Sequence, residues 1–188
     1  MAAAASACLD AMETTGAKAL PIVVVMGVSG CGKSTVGRAL ARALLVPYVE
    51  GDGLHPARNV ALMAAGTALT DTDRHGWLAA VGRRLSDDGA RSRGVVVSCS
   101  ALKRSYRDQL RAAAPHVQFV YLHGPQALLA QRLEQRKGHY MSASLLQSQL
   151  DTLEPPAADE RTLPFDISLG PERIVAGVRA GLLKKHQP

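Results

Sequence analysis

Cysteine, aromatic side chains and long apolar runs are all scarce in this sequence. The three cysteines form no Cys-x-x-Cys pair, so neither a disulfide framework nor a cysteine zinc site is expected, and a reducing compartment is indicated. Aromatic residues make up 4% of the chain, fewer than the stacking face of a nucleic-acid-binding protein needs. No apolar run approaches the length of a membrane span. The sequence therefore predicts a protein with neither a transmembrane helix nor nucleic acid as a partner.

Residues 1–20 also lack the marks of a targeting sequence. They have no basic segment followed by a long apolar stretch, which a secretory signal would show. They contain Asp10 and Glu13 but no arginine, which argues against a mitochondrial presequence. The C-terminal His-Gln-Pro matches neither a peroxisomal nor an endoplasmic-reticulum address. We expect a cytoplasmic protein in which residues 1–20 form a disordered extension.

Residues 21–188 are enough for one compact domain and too few for two ordinary ones. Hydrophobic residues make up 47% of the chain and charged residues 20%, as in ordinary globular proteins. The net charge of +6 is spread over several predicted helices and forms no dense basic tract. An anion-binding cleft explains this charge as well as an RNA-binding face does, so the charge alone leaves both interpretations open.

Strand-like apolar runs alternate with amphipathic segments along the chain. Runs such as PIVVVM and GVVVSC are apolar throughout, which is typical of strands buried on both faces of a sheet. The predicted strands are 21–26, 47–50, 94–99, 117–124 and 164–169. The predicted helices are 33–45, 56–66, one that is capped by Thr70 or Asp71, 103–113, 125–136, 142–153 and 171–185. This alternation predicts an α/β fold with a parallel five-stranded sheet, helices on both faces, and ligands beyond the carboxyl ends of the strands.

The segment MGVSGCGKST, residues 26–35, follows the first strand and carries the pattern Gly27-x-x-x-x-Gly32-Lys33-Ser34. Backbone N–H groups in such a loop wrap a phosphate, and the following helix adds its positive N-terminal end. Lys33 would reach the β- and γ-phosphates, Ser34 would ligate Mg²⁺, and Thr35 is placed to touch the α-phosphate. The predicted ATP-binding residues of this loop are Gly27, Ser29, Gly30, Cys31, Gly32, Lys33, Ser34 and Thr35. The segment therefore predicts binding of a nucleoside triphosphate with Mg²⁺.

Two carboxylates, Glu50 and Asp52, follow the second strand in the segment EGDGLHP. In a parallel sheet we expect them to lie close to the end of the first strand, and hence to the phosphate loop. Glu50 is predicted to hold the metal through water, and Asp52 to orient or deprotonate an acceptor hydroxyl. Solvated turn carboxylates are the alternative, which a neighbouring phosphate loop makes the weaker one.

Six segments resemble, in their order along the chain, the small P-loop gluconokinases, which are related to shikimate kinase and the nucleoside monophosphate kinases. They are MGVSGCGKST, GDGLHP, LTDTDR with Trp77, CSALKRSYRD, RKGHYM and LLQSQLDTLEPP, and the resemblance covers about residues 21–170. Many families share the first motif, whereas CSALKRSYRD and RKGHYM are far more specific. The resemblance implies a three-layer P-loop kinase fold with a mobile lid near 136–142, phosphorylation of D-gluconate at its 6-hydroxyl by ATP and, often, a homodimer. The family's frequent Asp-Gly-Asp is Glu50-Gly51-Asp52 here, a departure that bears on geometry and rate more than on function.

Gluconate is a polyol with one carboxylate, so its site needs cations and many hydrogen-bond partners. Arg58, Arg74 and Lys103 follow strand ends or lie near helix starts, where they could face the cleft. Lys103 and Arg107 are four residues apart, which predicts a shared helix face in contact with the ligand, a solvated basic face being the alternative. The full set of predicted substrate-binding residues is Asp52, His55, Arg58, Asp71, Arg74, Ser100, Lys103, Arg107 and His139.

Three of the motif residues could either take part in substrate binding or have a purely structural or solvated position. Asp71 could orient Arg74 or bind sugar hydroxyls, and it could equally be a helix N-cap. Trp77 has the spacing of a core residue, and we expect it to pack in the core rather than bind substrate. His139 is either a substrate contact or a solvated side chain in a glycine-containing loop.

Arg132 and Arg136 are again four residues apart and precede the segment KGHYM. The resemblance implies that Arg132 flanks the adenine and that Arg136 reaches the transferred phosphoryl group. The predicted catalytic residues are then Lys33, Asp52 and Arg136. A lid over this region would exclude the water that otherwise hydrolyses ATP.

Two other kinds of protein share the phosphate loop. A shikimate kinase should carry a glycine triplet after the third strand, where this chain has SCSALK; a nucleoside monophosphate kinase is the related alternative. A P-loop module that acts on RNA or as a sensor should have a basic, aromatic-rich face, which the low aromatic content does not favour. The sequence therefore favours a kinase whose partners are ATP and D-gluconate.

Overall fold

Five parallel strands form the centre of the structure, a computed structural model that describes residues 20–135 and 143–184. The strands are β1 (Ile22–Met26), β2 (Tyr48–Glu50), β3 (Val95–Ser98), β4 (Gln118–His123) and β5 (Leu163–Asp166), in the spatial order β2-β3-β1-β4-β5. Residues 23–26 of the central strand are fully buried, because helices cover both faces of the sheet. The prediction of a parallel five-stranded α/β fold is confirmed.

The helices divide the core into two apolar clusters, one on each face of the sheet. In the described residues they are α1 (Lys33–Leu44), α2 (Ala57–Ala64), α3 (Asp71–Ser86), α4 (Asp88–Arg93), α5 (Arg104–Ala113), α6 (Gln126–Glu134), α7 (Ala143–Thr152) and α8 (Pro171–Lys184). Val23 and Val25 pack with α1, α6, α7 and α8, whereas Val24 and Met26 pack with α3, α4 and α5. This alternation follows from the two-residue period of a strand. Trp77 is fully buried in the second cluster, as predicted.

Three local features differ from the predicted elements. α4 is additional, and the Asp87 carboxylate begins it by accepting a hydrogen bond from the N–H of Ala90 at 2.7 Å. β5 ends at Asp166, before the predicted end at residue 169, because the Asp166 carboxylate accepts from the N–H of Ser168 at 2.7 Å and starts a 3₁₀ turn. The strand order was also not predicted: β2 pairs with β3, which lies between the first two strands, whose ends were expected only to lie close together.

The carboxyl ends of β1, β2 and β3 lie at one level. Ser98 of β3 is in register both with Val25 of β1 and with Glu50 of β2. The phosphate loop begins directly after β1, Glu50 ends β2, and Ser100 follows β3. Predicted site residues from three separate segments therefore meet at this edge of the sheet.

No helix within the described residues is long and apolar enough to span a membrane. The predicted N-terminal extension falls, apart from Leu20, on residues outside the described part of the chain, and the predicted lid at 136–142 lies wholly outside it. Arg136 and His139 belong to that segment. Their roles, the extension and the lid stay predictions.

Candidate active site

The loop between β1 and α1 has a backbone that its glycines make possible. Gly27 has a φ of +138° and Gly30 a φ of +82°, conformations that residues with a Cβ rarely adopt. A Cβ on Gly27 would lie 2.4 Å from the carbonyl oxygen of Leu122 and 2.9 Å from the sulfur of the buried Cys31. A Cβ on Gly30 would lie 2.9 Å from the carbonyl oxygen of Leu129. The two glycines thus let the loop pack directly against β4 and α6.

The phosphate loop lines a cavity of about 370 Å³. All the ATP-binding residues predicted in the loop lie on its wall except Gly27, which shapes the loop instead. The Lys33 ammonium donates a hydrogen bond to the carbonyl oxygen of Val28 at 3.1 Å. The remaining wall is formed by Val36, Asp52, Arg132, Leu133, Ile167, Pro171 and Ile174. The cavity therefore joins a polar end suited to phosphates with an apolar end suited to a nucleobase.

Arg132 lies on the wall of this cavity, at the end of α6. Its Nη2 donates to the carbonyl oxygen of Ile167 at 3.1 Å, which fixes the guanidinium on a cavity wall that also includes the apolar residues Leu133 and Ile174. A guanidinium held in this way can stack on or flank an adenine ring. The structure brings Arg132 to the predicted cavity, and its contact with adenine stays a prediction.

The Glu50 carboxylate is held by hydroxyl groups from three elements. The Tyr48 hydroxyl donates to Oε2 at 2.8 Å and the Ser98 hydroxyl donates to Oε1, and Ser34 of the phosphate loop also hydrogen-bonds this carboxylate. Burial raises the pKa of Glu50, but the hydrogen bonds from Ser98, Ser34 and Tyr48 outweigh burial and hold the pKa below its usual value. Glu50 is therefore an anion in contact with Ser34, although β3 separates β2 from β1.

Asp52 lies in a 3₁₀ turn, Gly51–Leu54, that its neighbours hold in place. The N–H of Gly51 donates to the Ser98 hydroxyl oxygen at 3.2 Å, and the Gly51 carbonyl accepts from the Trp77 indole N–H at 2.7 Å. A Cβ on Gly51 would lie 1.9 Å from the carbonyl oxygen of Ser98, so glycine is required there. The turn presents the exposed Asp52 carboxylate to the cavity that the phosphate loop lines.

His55 is stacked on the buried Trp77, with ring centroids 4.2 Å apart and 14° between the planes. The Asn59 amide nitrogen donates to the carbonyl oxygen of Asp73 at 2.7 Å and lies 3.4 Å from Nδ1 of His55. An amide nitrogen can only donate, so Nδ1 accepts and the ring proton lies on Nε2. Burial lowers the pKa of His55 from 6.5 to about 4, against the opposing charge of Asp52. At neutral pH His55 is an uncharged hydrogen-bond donor.

The neutral state of His55 predicts a loss of stability in mild acid. The pKa in the folded state, about 4, lies below the ordinary value of 6.5, so the unfolded state takes up the proton first as the pH falls. We expect the free energy of unfolding contributed by this group to be constant above pH 6.5 and to decrease between pH 6.5 and about 4. Urea unfolding of the wild type and of His55→Gln across this range measures it. A wild-type pH dependence no steeper than that of the variant would contradict the assignment.

Two of the three cations predicted to bind the substrate carboxylate already have partners. The Lys103 ammonium lies 2.9 and 2.8 Å from the two carboxylate oxygens of Asp71. Arg58 pairs with Asp73 at 3.6 Å and its side chain is 79% exposed. Arg74 is only 9% exposed, yet its side chain forms no hydrogen bond or ion pair with residues 20–135 or 143–184. Among the residues that the structure describes, Arg74 is therefore the cation of the three whose donors have no protein partner and suit an anionic ligand.

Asp71 is the first residue of α3 and not its N-cap. Thr70 is the N-cap, because its hydroxyl accepts from the N–H of Asp73 at 3.2 Å while the Asp73 carboxylate accepts from the N–H of Thr70 at 3.0 Å. Asp71 instead accepts hydrogen bonds from Lys103 and from the Tyr106 hydroxyl, and the bond from Lys103 is the main reason that the pKa of Asp71 lies below its usual value. The N-cap interpretation is wrong, and contact of Asp71 with sugar hydroxyls stays a prediction.

The predicted ligand contact of Arg107 is wrong. Its side chain is fully buried, and Nε and Nη2 donate to the two carboxylate oxygens of Glu160 at 2.6 and 2.7 Å. Lys103 precedes α5 with an extended backbone, φ −95° and ψ 153°. Because Lys103 is outside the helix, a spacing of four residues does not place it on the same face as Arg107.

Sequence analysis missed two polar residues of the site, Gln149 and Asn59. The Gln149 side-chain oxygen accepts from the N–H of Ser29 in the phosphate loop at 2.8 Å, across 120 residues of sequence. Asn59 is buried beside His55. Gln149 lies in the recognised motif LLQSQLDTLEPP and Asn59 lies three residues after the motif GDGLHP, but the spacing of residues along the chain carries no information on contacts with distant segments. Ser100, which was predicted, is buried, and its carbonyl oxygen accepts from the N–H of Gly27 at 3.3 Å.

Comparison with known proteins identifies relatives over most of the chain. The profile of the AAA domain matches residues 22–156. The gluconokinase of Gluconobacter oxydans (strain 621H) is 51% identical over 138 residues, which are 73% of this chain and 78% of that protein. A probable gluconokinase of Xenopus tropicalis is 40% identical over 179 residues, 87% of this chain and 94% of that protein. The crystal structure of a gluconokinase from Sinorhizobium meliloti 1021 superimposes with a TM-score of 0.81 at 50% identity, covering 89% of this chain and 94% of that one.

Proposed function

The chain belongs to the gluconokinase family of P-loop kinases, and we propose that it transfers the γ-phosphoryl group of ATP to the 6-hydroxyl of D-gluconate. The products are 6-phosphogluconate, which feeds the pentose phosphate pathway, and ADP. The observation that carries the proposal is the position of Asp52, whose carboxylate lies on the wall of the same cavity as Lys33 and Ser34. An acceptor hydroxyl bound at Asp52 would therefore face the phosphates of ATP.

The protein residues have simple tasks in this reaction, because phosphoryl transfer depends mainly on positioning and on charge stabilisation. Lys33 neutralises charge on the β- and γ-phosphates. Asp52 orients the acceptor hydroxyl and accepts its proton. Arg132 flanks the adenine at the apolar end of the cavity, and Arg136 reaches the transferred phosphoryl group. The uncharged His55 offers its Nε2 proton to a hydroxyl oxygen of the sugar acid.

The oxygen atoms beside the phosphate loop suit Mg²⁺. This ion usually combines one or two protein oxygens with phosphates and water rather than an all-protein cage. Consistent with that, no group of three or more His, Cys, Asp or Glu residues that could hold a metal occurs in the described part of the chain. Ser34 would hold Mg²⁺ directly and the anionic Glu50 would hold it through water. When bound, the ion supplies positive charge that offsets the charge of the phosphates.

Direct assay of phosphoryl transfer tests the proposal. ADP release is measured with gluconate, shikimate, ribose and nucleoside monophosphates as acceptors, and ³¹P NMR of the product locates the phosphate. We expect the highest kcat/KM with gluconate and phosphorylation at the 6-hydroxyl. A higher kcat/KM with shikimate or a nucleoside monophosphate would contradict the proposal.

Arg74→Ala should weaken the binding of gluconate selectively. The buried guanidinium is proposed to form a charge-assisted pair with the substrate carboxylate, assisted by Lys103. Its loss should raise the KM for gluconate by about a hundredfold, as expected from removing such a pair. The preference for gluconate over the neutral polyol sorbitol should narrow by a similar factor. Both acceptors are to be assayed with Arg74→Ala, wild type and Arg84→Ala, which removes an exposed arginine in the last turn of α3 as a control.

An Arg74→Ala variant that still discriminates gluconate from sorbitol as well as the wild type does would show that the carboxylate binds elsewhere. Arg58 and Lys103 would then be the next residues to replace. The melting temperature of each variant separates weakened substrate binding from a loss of folding.

A homodimer, which the family resemblance supports, and a cytoplasmic location complete the proposal. Light scattering of the purified protein tests the oligomeric state. Fractionation of cells that produce the full chain tests the location.

A further inference from the structure

The segment from Cys99 to Lys103, here termed the acceptor loop, connects β3 to α5 and borders both parts of the site. Toward the nucleotide side, the Ser100 carbonyl oxygen accepts from the N–H of Gly27 in the phosphate loop. Toward the acceptor side, Lys103 holds Asp71 of α3 through both carboxylate oxygens. The conformation of the acceptor loop therefore decides where the predicted substrate residues Ser100 and Lys103 lie.

The acceptor loop contains a backbone conformation that is unfavourable for its residue. Ala101 has a φ of +44°, in the left-handed region where a Cβ collides with the following carbonyl oxygen. Its side chain is fully buried, so the loop cannot relax without disturbing the core around it. Such a conformation persists only where the surrounding structure holds it.

Arg107 of α5 stabilises this conformation of the acceptor loop. Its Nη1 donates to the carbonyl oxygens of Ala101 and Leu102, each at 3.1 Å. The rest of the guanidinium is bound by Glu160, and the exposed fractions of the two side chains are 0% and 1%. The Glu160 carboxylate is in turn held by Arg111 at 2.9 Å and by the N–H of Ala157 at 3.1 Å. The guanidinium is therefore fixed in position, with one nitrogen pointed at the acceptor loop.

A second contact holds the other end of the loop. The N–H of Glu154 donates to the carbonyl oxygen of Leu102 at 2.9 Å, and the Glu154 carboxylate accepts from the N–H of Arg104 at 2.6 Å. The Leu102 carbonyl is thus bound from two sides, by α5 and by the segment that follows α7. Lys103 lies between these two anchored groups, so its backbone has little freedom.

We propose that Arg107 is a positioning residue for the acceptor: it holds the acceptor loop so that Ser100 and Lys103 face gluconate. The proposal rests on the proposed function for the identity of the acceptor. A purely structural role would require only the pair with Glu160, and apolar residues often replace a buried ion pair without loss of stability. Arg107 makes four hydrogen bonds, two to Glu160 and two to loop carbonyls, whereas a lysine ammonium has three donors on a single nitrogen and cannot make both pairs at once.

Arg107→Lys is the variant that separates the two roles, because it keeps the charge opposite Glu160 and loses the bridge to the loop. We expect the KM for gluconate to rise about tenfold, as for the loss of one to two hydrogen bonds. The KM for ATP should change by less than about twofold, because the acceptor loop touches the phosphate loop through the Ser100 carbonyl but lines no part of the nucleotide cavity.

Arg111→Gln is the matched control. Arg111 binds the same Glu160 carboxylate but makes no contact with the acceptor loop among the described residues. We expect a lower melting temperature and an unchanged KM for gluconate. Equal changes in both KM values for both variants, or an Arg107→Lys variant altered only in melting temperature, would overturn the proposal.

Glu154→Ala is the second variant, for the case that Arg107→Lys does not fold. It removes the carboxylate that binds the N–H of Arg104 beside the acceptor loop. Because Glu154 is exposed, its replacement leaves no buried charge without a partner. It should raise the KM for gluconate in the same selective way, by about threefold, and an unchanged KM would overturn the proposal. Wild-type enzyme is assayed alongside. If it phosphorylates another acceptor and not gluconate, the proposed function fails, and the same comparison of KM values with that acceptor still tests Arg107.

Discussion

Replacing Lys33 with alanine is expected to lower kcat by about a thousandfold, the usual effect of removing a charge aimed at the transition state. Lys33 lies in the phosphate loop on the wall of the proposed nucleotide cavity. Its ammonium donates a hydrogen bond to the carbonyl oxygen of Val28, within the same loop. On transfer, the ammonium would offset negative charge that spreads over the phosphoryl oxygens.

The fold should survive this replacement, because the Lys33 side chain makes no contribution to either apolar cluster. We expect a melting temperature close to that of the wild type. Lys184→Ala, which removes an exposed lysine at the end of α8, is the control for a loss of positive charge. Near wild-type turnover by a folded Lys33→Ala enzyme would show that the phosphate loop has been assigned wrongly.

Asp52→Asn should lower kcat by about 10²- to 10⁴-fold, the range for loss of a general base, while changing the KM for gluconate little. Asparagine keeps the size of the side chain and can still hydrogen-bond the acceptor hydroxyl, but it cannot take its proton. Because binding is retained and the chemical step is not, the loss appears in kcat. Steady-state kinetics with gluconate and ATP varied separately measure both parameters.

A control for this variant is Asp88→Asn, at the start of α4 and away from the cavity wall. It should leave both kinetic parameters unchanged. If Asp52→Asn instead raises the KM for gluconate at constant kcat, Asp52 binds the acceptor without activating it. The group that accepts the proton must then be sought elsewhere.

The fold followed from the sequence because its signals are local. Apolar runs without polar alternation predict strands buried on both faces, and the glycines of the phosphate loop predict the turn after β1. Even the burial of Trp77 followed from its spacing within α3. The order of the strands did not follow, since nothing in the segments of β1 and β2 shows that β3 inserts between them.

The candidate site was predicted in part, and the errors have a common physical origin. Arg107 has the sequence environment of a ligand-binding arginine, but its partner Glu160 lies 53 residues away. Asp71 and Lys103 were each predicted to face the substrate, and only the packing of α3 beside α5 shows that they pair with each other. Ion pairs between distant segments depend on tertiary contacts, so they cannot be predicted from the spacing of residues within one motif.

Cys31 is buried within the phosphate loop, and burial makes its thiol unreactive. Burial raises the pKa of this thiol, and the nearby charges of Lys33 and Arg132 lower it by less. Peroxides and alkylating reagents attack the thiolate and need access to it. The Cys31 thiol is protonated and buried, so it is a poor nucleophile toward oxidants although it lies in the phosphate loop. Cys31 should therefore react with peroxides and alkylating reagents more slowly than an exposed, ionised cysteine does.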